Sequence, residues 1–160
     1  MKLILLRHGK AADSHPEGDF SRPLVEKGRE QARRAAKLLK SAGALPDIVL
    51  TSPLIRARQT AEEFCQTAQI PGATLQGWLA SGMNPENALK ELAAFHDFKC
   101  VAIVGHEPDF SQLIQRILGA AGGSIEVKKG AVACLEINPP SHRGTLLYII
   151  PPRLALEIDP

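Results

Sequence analysis

Residues 3–10, LILLRHGK, decide the fold, because an unbroken apolar run meets an arginine and a histidine with no turn between them. Four apolar residues in a row are typical of a central strand that is covered on both faces. Two further apolar runs, at 48–50 and 101–104, alternate along the chain with segments of helical periodicity. This alternation predicts an α/β fold, a three-layer sandwich in which a mostly parallel central sheet carries helices on both faces.

Turn residues mark the ends of the predicted helices. The first helix begins near Glu26 and ends at Gly43, a residue type that favours a helix stop. For the second helix we predict Ser52 as the N-cap and Pro53 as the first helical residue. Two further helices and then a pair of late strands are predicted at 85–96, 109–118, 124–137 and 144–152.

Length and composition fit one globular domain, residues 1–160. A hydrophobic fraction of 44% and a charged fraction of 22% are ordinary values, and 160 residues suffice for one core. A net charge of +2 is too small to indicate a nucleic-acid partner. No stretch approaches the ~20 apolar residues of a membrane span, so we expect no association with a membrane.

The cysteines indicate the compartment. Cys65, Cys100 and Cys134 are an odd number without a CxxC pair, and each lies in a largely apolar stretch. This context favours buried free thiols over disulfides or metal ligands, and free thiols are typical of a reducing compartment. The apolar run at 3–6 is also too short for a signal peptide. We therefore expect a cytoplasmic protein.

A basic or imidazole side chain follows each of the three predicted parallel strands. Arg7 and His8 follow the first strand, Arg56 follows the second and His106 follows the third. Ligands of open parallel sheets bind beyond the carboxyl ends of the strands. If the three strands are neighbours in the sheet, these four groups meet at one edge.

Arg56 indicates what this edge binds. A cation in the first turn of a helix has the unfavourable sign for the helix dipole, by about 0.3–1 kcal/mol. A bound anion reverses this, because the helix amides and the guanidinium then act together. At about 4 Å and an effective dielectric near 20, an arginine–phosphate charge pair is worth on the order of 4 kcal/mol before desolvation. The pattern favours phosphate over the alternative in which Arg56 extends into water.

The two strand-end histidines favour nucleophilic catalysis over metal binding. A catalytic zinc site usually has about three protein ligands, and Arg7 and Arg56 would repel a dication beside His8. The sequence contains no HExxH or comparable spacing, so we expect no metal and no cofactor. A neutral imidazole attacks phosphorus, and nearby arginines keep it neutral. His8 and His106 therefore predict a phosphohistidine intermediate that water hydrolyses.

Five motifs are spread along the chain. They are LLRHGKA at 5–11, RPLVEKGREQA at 22–32, TSPLIRARQTAE at 51–62, IVGHEP at 103–108 and GTLLYIIPPRLAL at 144–156. Together they resemble the histidine phosphatase superfamily, branch 1, and within it the short bacterial SixA-type phosphohistidine phosphatases. The resemblance implies a histidine-phosphatase or phosphoglycerate-mutase-like fold. It implies that His8 is the phosphorylated nucleophile and that Arg7, Arg56 and His106 bind the phosphoryl oxygens.

The sequence departs from the family pattern in two ways. Val25 stands where relatives often have threonine, so a side-chain N-cap is lost. The mutase branch carries a carboxylate proton donor in the middle segment, whereas residues 75–85, LQGWLASGMNP, contain no acid. The departure of an alkoxide leaving group is accelerated about 10²–10⁴-fold by a general acid, but imidazole needs far less help. The missing acid favours a phosphohistidine substrate; Glu107 and Asp13 are the alternative donors.

Several functions fit these residues. The first is a phosphatase acting on phosphohistidine in a protein partner, such as the phosphotransfer domain of a signalling relay. The second is a phosphatase of small phosphomonoesters, with Glu107 as the donor; mutase activity fits less well, because it needs an intermediate protected from water. The third is a phosphate-binding module without catalysis, which the intact set of four site residues disfavours.

Overall fold

The computed structural model describes the backbone of residues 1–158 and the side chains of residues 1–155. Ten regular elements alternate between strand and helix as far as residue 118 and end in two consecutive strands. The strands are β1 (Lys2–Arg7), β2 (Ile48–Thr51), β3 (Thr74–Leu75), β4 (Cys100–Gly105), β5 (Val132–Ile137) and β6 (Gly144–Ile150). The helices are α1 (Glu26–Ser41), α2 (Ile55–Ala68), α3 (Pro85–Ala93) and α4 (Asp109–Leu118), with short 3-10 helices at Asp19–Ser21, Gly77–Leu79 and Pro152–Ile158.

The six strands form one sheet in the order β3-β2-β4-β1-β5-β6. β3, β2, β4 and β1 pair in parallel, and β5 is antiparallel to both of its neighbours. The predicted mostly parallel sheet with a late strand pair is confirmed, but the first late strand begins at Val132 and not at residue 124, because residues 124–131 form irregular backbone and a turn. Because β4 lies between β1 and β2, the three strands that precede Arg7–His8, Arg56 and His106 are adjacent, as convergence of these groups requires.

Alternate residues of β1 enter two separate cores. Leu3 and Leu5 pack with residues of α3 and α4 on one face of the sheet. Ile4 and Leu6 pack with residues of α1 and α2 on the other. The unbroken apolar run of β1 thus reflects a strand that is covered on both faces, and the three-layer α/β sandwich is confirmed.

Most predicted helix ends are also confirmed. α1 begins at Glu26, and its N-cap residue Val25 makes no side-chain hydrogen bond. Asn84 caps α3, because its side chain accepts from the Asn87 amide at 3.0 Å. α4 ends at Gly119, whose φ of 65° lies in the left-handed region that glycine tolerates.

The predicted start of the second helix is wrong. α2 begins at Ile55, not at Pro53, and Leu54 occupies the N-cap position. The Ser52 amide continues the sheet by donating to the Val104 carbonyl at 2.9 Å, so the chain is still extended there. Arg56 is therefore the second helical residue, and the Ser52 hydroxyl is not a conventional N-cap.

Candidate active site

All four residues that were predicted from their positions after the strands lie together at the carboxyl edge of the sheet. Arg7 ends β1, His8 follows it, His106 follows β4, and Arg56 lies in the first turn of α2. The rings of His8 and His106 have centroids 5.2 Å apart, and Arg56 Nε lies 3.3 Å from His8 Nε2. His8, Arg56 and His106 are 6%, 4% and 2% exposed, so the cluster is largely shielded from water.

Hydrogen bonds fix the orientation and the tautomer of His8. Its amide donates to the Gly105 carbonyl at 3.0 Å, which extends the pairing of β1 with β4 by one residue. Its Nδ1 lies 2.7 Å from the Gly9 carbonyl oxygen, and since a carbonyl only accepts, Nδ1 carries the proton. The lone pair is then on Nε2, which accepts from Arg56 Nε. Nε2 is the nitrogen available for attack on phosphorus.

Close packing also explains the glycine after His8. A Cβ on Gly9 would overlap the Gly28 backbone of α1, and a Cβ on Gly28 would overlap the Lys10 carbonyl. The start of α1 therefore packs directly against the backbone that follows His8. The Gly9 amide also donates to Thr60 Oγ1 of α2 at 3.1 Å.

Both imidazoles of the cluster are held neutral. Burial lowers the pKa of His8 to about 3, and the charges of His106, Arg56 and Arg7 act in the same direction. Burial lowers the pKa of His106 to about 4, again with help from Arg56 and Arg7. At pH 7 both rings are unprotonated, and a neutral His8 is competent as a nucleophile.

Asp19 completes the surroundings of Arg56, and the sequence reasoning missed it. Arg56 Nη1 donates to the Asp19 carbonyl at 2.9 Å, and Nη2 lies 3.2 Å from its carboxylate. A hydrogen bond from Arg22, together with the charge of Arg56, lowers the pKa of Asp19. Because Asp19 lies in a polar loop without periodicity, no sequence pattern pointed to it.

Ser52 and Thr60 also belong to the site; the sequence reasoning assigned Ser52 only to a helix start and missed Thr60. Ser52 Oγ lies 2.7 Å from His106 Nε2, and the hydroxyl is fully buried. Thr60 Oγ1 donates to the Arg56 carbonyl at 2.8 Å, one turn earlier in α2. The position of Thr60 four residues after Arg56, on the same helix face, was the available signal.

Two nitrogens of the cluster are buried without a hydrogen-bond partner among the described residues. They are Arg7 Nε and His106 Nδ1. The Arg7 guanidinium is anchored through Nη1, which donates to the Val127 carbonyl at 2.8 Å. Buried polar groups without partners are rare and unfavourable, which marks this edge as a place for a ligand with acceptor atoms.

Neither alternative proton donor is placed by its contacts to act as an acid. Glu107 Oε1 accepts from the Ser111 amide at 2.8 Å, so the carboxylate is engaged with the first turn of α4. Asp13 is exposed in the loop that follows β1.

Within the described part of the chain, no group of three or more His, Cys, Asp or Glu side chains is arranged to hold a metal ion. No helix within residues 1–158 has the length and apolar character of a membrane span.

Comparisons with known proteins identify the family of the chain. A model of the histidine phosphatase superfamily, branch 1, matches residues 3–79. An uncharacterised protein of Picosynechococcus is 33% identical over 145 residues, covering 85% of each chain. The structure of the protein histidine phosphatase SixA in complex with tungstate has a TM-score of 0.86 and 26% identity, covering 96% of this chain and 99% of that one.

A second similarity covers a smaller share of the chain. A 2,3-bisphosphoglycerate-dependent phosphoglycerate mutase of Bifidobacterium longum is 48% identical over 63 residues, or 38% of this chain. The match spans only 26% of the mutase. The chain therefore belongs to branch 1 of the histidine phosphatase superfamily, and its similarity to SixA structures over nearly its whole length indicates the SixA type.

Proposed function

We propose that this protein is a metal-independent phosphatase that passes a phosphoryl group through His8 to water. The observation that carries the proposal is the environment of His8 Nε2. This nitrogen holds the lone pair of a buried, neutral imidazole and lies 3.3 Å from Arg56 Nε. His8 Nε2 attacks phosphorus, the bond from phosphorus to the leaving group breaks, and a P–Nε2 bond forms. Water then attacks phosphorus, the P–Nε2 bond breaks, and inorganic phosphate leaves.

The other members of the cluster bind the phosphoryl oxygens in this proposal. Arg7 Nε is a buried donor without a partner among the described residues, and an oxyanion beside His8 supplies an acceptor. Arg56 uses three of its five N–H groups on Asp19 and His8, and two are left for oxygens. The tungstate in the SixA structure is likewise a tetrahedral oxyanion. The two guanidiniums beside His8 disfavour a metal dication at this position, which supports metal-independent chemistry.

We propose phosphohistidine as the substrate, because the cluster lacks a protonated carboxyl group. Asp19 contacts Arg56, but its lowered pKa keeps it ionised, so it is a poor proton donor. Glu107 is engaged with the Ser111 amide. An alkoxide leaves poorly without a general acid, whereas a leaving imidazole has a conjugate acid with a pKa of about 6.5. The substrate that fits is a phosphohistidine, as carried by the phosphotransfer domain of a signalling relay.

The cysteines support a cytoplasmic location as part of the proposal. Cys65, Cys100 and Cys134 are all free thiols, and Cys65 and Cys134 are buried. Unpaired thiols are typical of a reducing compartment. Burial also raises the pKa of Cys65 to about 11, so this thiol stays protonated and unreactive.

The experiment that tests the proposal compares the wild type with His8→Ala on a phosphohistidine peptide. His142→Ala, an exposed histidine at the opposite edge of the sheet, is the matched control. We expect His8→Ala to lose turnover and His142→Ala to keep it. Equal turnover by His8→Ala and the wild type would reject covalent catalysis and would favour a phosphate-binding module.

A leaving-group series separates phosphohistidine from phosphomonoester substrates. The similarity to a phosphoglycerate mutase over 63 residues supports the phosphomonoester alternative. Rates on aryl and alkyl phosphates of increasing leaving-group pKa should fall steeply if no general acid acts. A flat dependence would show that a donor such as Glu107 protonates the leaving oxygen, and would favour small phosphomonoesters.

A further inference from the structure

A cleft lies beside the candidate active site and shares one residue with it. It has a volume of about 830 Å³, and Arg7 forms part of its wall. Because Arg7 also belongs to the His8 cluster, the cleft adjoins that cluster through the Arg7 side chain. We call it the basic cleft; the side chains that matter here are those of Arg7, Glu126, Lys128, Lys129 and Arg153.

The segment that carries the two lysines is fastened to the end of β1. Arg7 Nη1 donates to the Val127 carbonyl at 2.8 Å. The Gly130 amide donates to the carbonyls of Arg7 and His8, at 3.1 and 3.2 Å. Gly130 adopts a φ of 74°, and a Cβ there would crowd Gln31. The backbone positions of Lys128 and Lys129 are therefore fixed relative to the proposed nucleophile.

Among the side chains that the structure describes, the charge of the basic cleft is concentrated and largely uncompensated. Four cations line it against one carboxylate, Glu126, which lies 2.6 Å from Lys128 Nζ. These side chains carry an excess of three positive charges, although the whole chain has a net charge of only +2. Lys129 and Arg153 are exposed and have no ion-pair partner among the described side chains.

We propose that the basic cleft binds an acidic segment of the protein that carries the phosphohistidine, an inference that rests on the proposed function. A free phosphohistidine needs only the His8 cluster, whereas a phosphohistidine within a protein brings flanking residues to the neighbouring surface. Exposed ion pairs contribute little individually, but a concentrated charge steers the association of an oppositely charged partner. The basic cleft therefore selects acidic partners through kcat/KM, with little effect on kcat.

Charge reversal tests this inference without altering the His8 cluster. The test variant is Lys129→Glu with Arg153→Glu. The matched control, Lys99→Glu with Arg143→Glu, reverses one exposed lysine and one exposed arginine at the opposite edge of the sheet. The substrates are free phosphohistidine and two synthetic phosphohistidine peptides that differ only in having aspartates or lysines beside the modified residue.

We expect the wild type and the control variant to prefer the aspartate peptide, by about tenfold in kcat/KM at low salt, and the preference to shrink as salt rises. The test variant should lose or invert this preference while its rate on free phosphohistidine stays unchanged. Unchanged preference in the test variant, or equal turnover of both peptides by the wild type, would overturn the inference and leave the proposed function intact. Failure of the wild type on all three substrates would instead reject the proposed function.

Discussion

Replacing Arg56 by methionine should abolish most activity without loss of stability. Arg56 is 4% exposed, and burial lowers its pKa, which means that the buried positive charge destabilises the folded protein. The carboxylate of its partner Asp19 is 64% exposed, so this ion pair contributes little to the stability of the fold. A buried charge replaced by an apolar side chain of similar volume is often neutral or stabilising. We therefore expect an unchanged or higher Tm for Arg56→Met.

The expected loss of activity follows from the same burial. Because Arg56 is already desolvated in the free protein, much of its attraction to a phosphoryl group is available on binding. At about 4 Å and an effective dielectric near 20, this attraction is on the order of 4 kcal/mol, which corresponds to roughly 10³-fold in rate. Loss of a single oxyanion donor typically costs about 10²–10³-fold, so we expect kcat/KM to fall within that range.

The assay combines initial rates on a phosphohistidine peptide, inhibition by tungstate and thermal unfolding. Arg58→Met is the matched control, because Arg58 is an exposed arginine on the same helix. The control should keep both activity and tungstate inhibition. The reasoning would be refuted if Arg56→Met kept activity within a few-fold of the wild type. In a chain of this size, a loss of about 1 kcal/mol lowers Tm by at most about 4 °C. A larger fall in Tm would show that Arg56 has a structural role instead.

Three further predictions concern the surroundings of the nucleophile and the stability of the fold. Ser52→Ala removes the bond to His106 Nε2, and we expect a loss of about 1–3 kcal/mol in urea unfolding, with a lower kcat and little change in KM. The folded pKa values of His8 and His106, about 3 and about 4, lie below the unfolded value of about 6.5, so the unfolded state binds more protons as pH falls. The free energy of unfolding should therefore decline below pH 6.5, towards pH 4, by about 1.4 kcal/mol per pH unit for each histidine. In a variant with both histidines replaced by glutamine, the free energy of unfolding from urea titrations should fall less steeply with pH. Val25→Thr supplies the missing N-cap of α1 and should stabilise by about 1 kcal/mol, seen as a Tm rise of roughly 2–4 °C; an unchanged Tm would show that the Thr hydroxyl does not reach an α1 amide.

The sequence predicts the elements that carry the cluster because their signals are local. The apolar run of β1 and the glycine after α4 are readable within a few residues, and the structure confirms both. The convergence of His8 and His106 also needs the strand order β2-β4-β1, which apolar periodicity does not encode. The resemblance to a known family supported that order indirectly, through motifs spread along the chain.

The features that were missed or mispredicted depend on contacts between distant residues. Ser52 followed by Pro53 has the local pattern of a helix start, but the sheet ladder to Val104 keeps the chain extended and brings the hydroxyl to His106, 54 positions away. Asp19 reaches Arg56 from a loop that has no periodic pattern. The basic cleft likewise joins segments from both ends of the chain, so its charge is inconspicuous in a composition with a net charge of +2.

The most direct measurement of the central claim is the site of phosphorylation during turnover. The protein is mixed with a phosphohistidine peptide, quenched rapidly at alkaline pH and analysed by mass spectrometry and phosphorus NMR. Because Nδ1 of His8 donates to the Gly9 carbonyl, we predict a transient, acid-labile phosphoryl group on Nε2 of His8. Phosphate on another residue, or turnover with no phosphorylated enzyme at any quench time, would contradict the account.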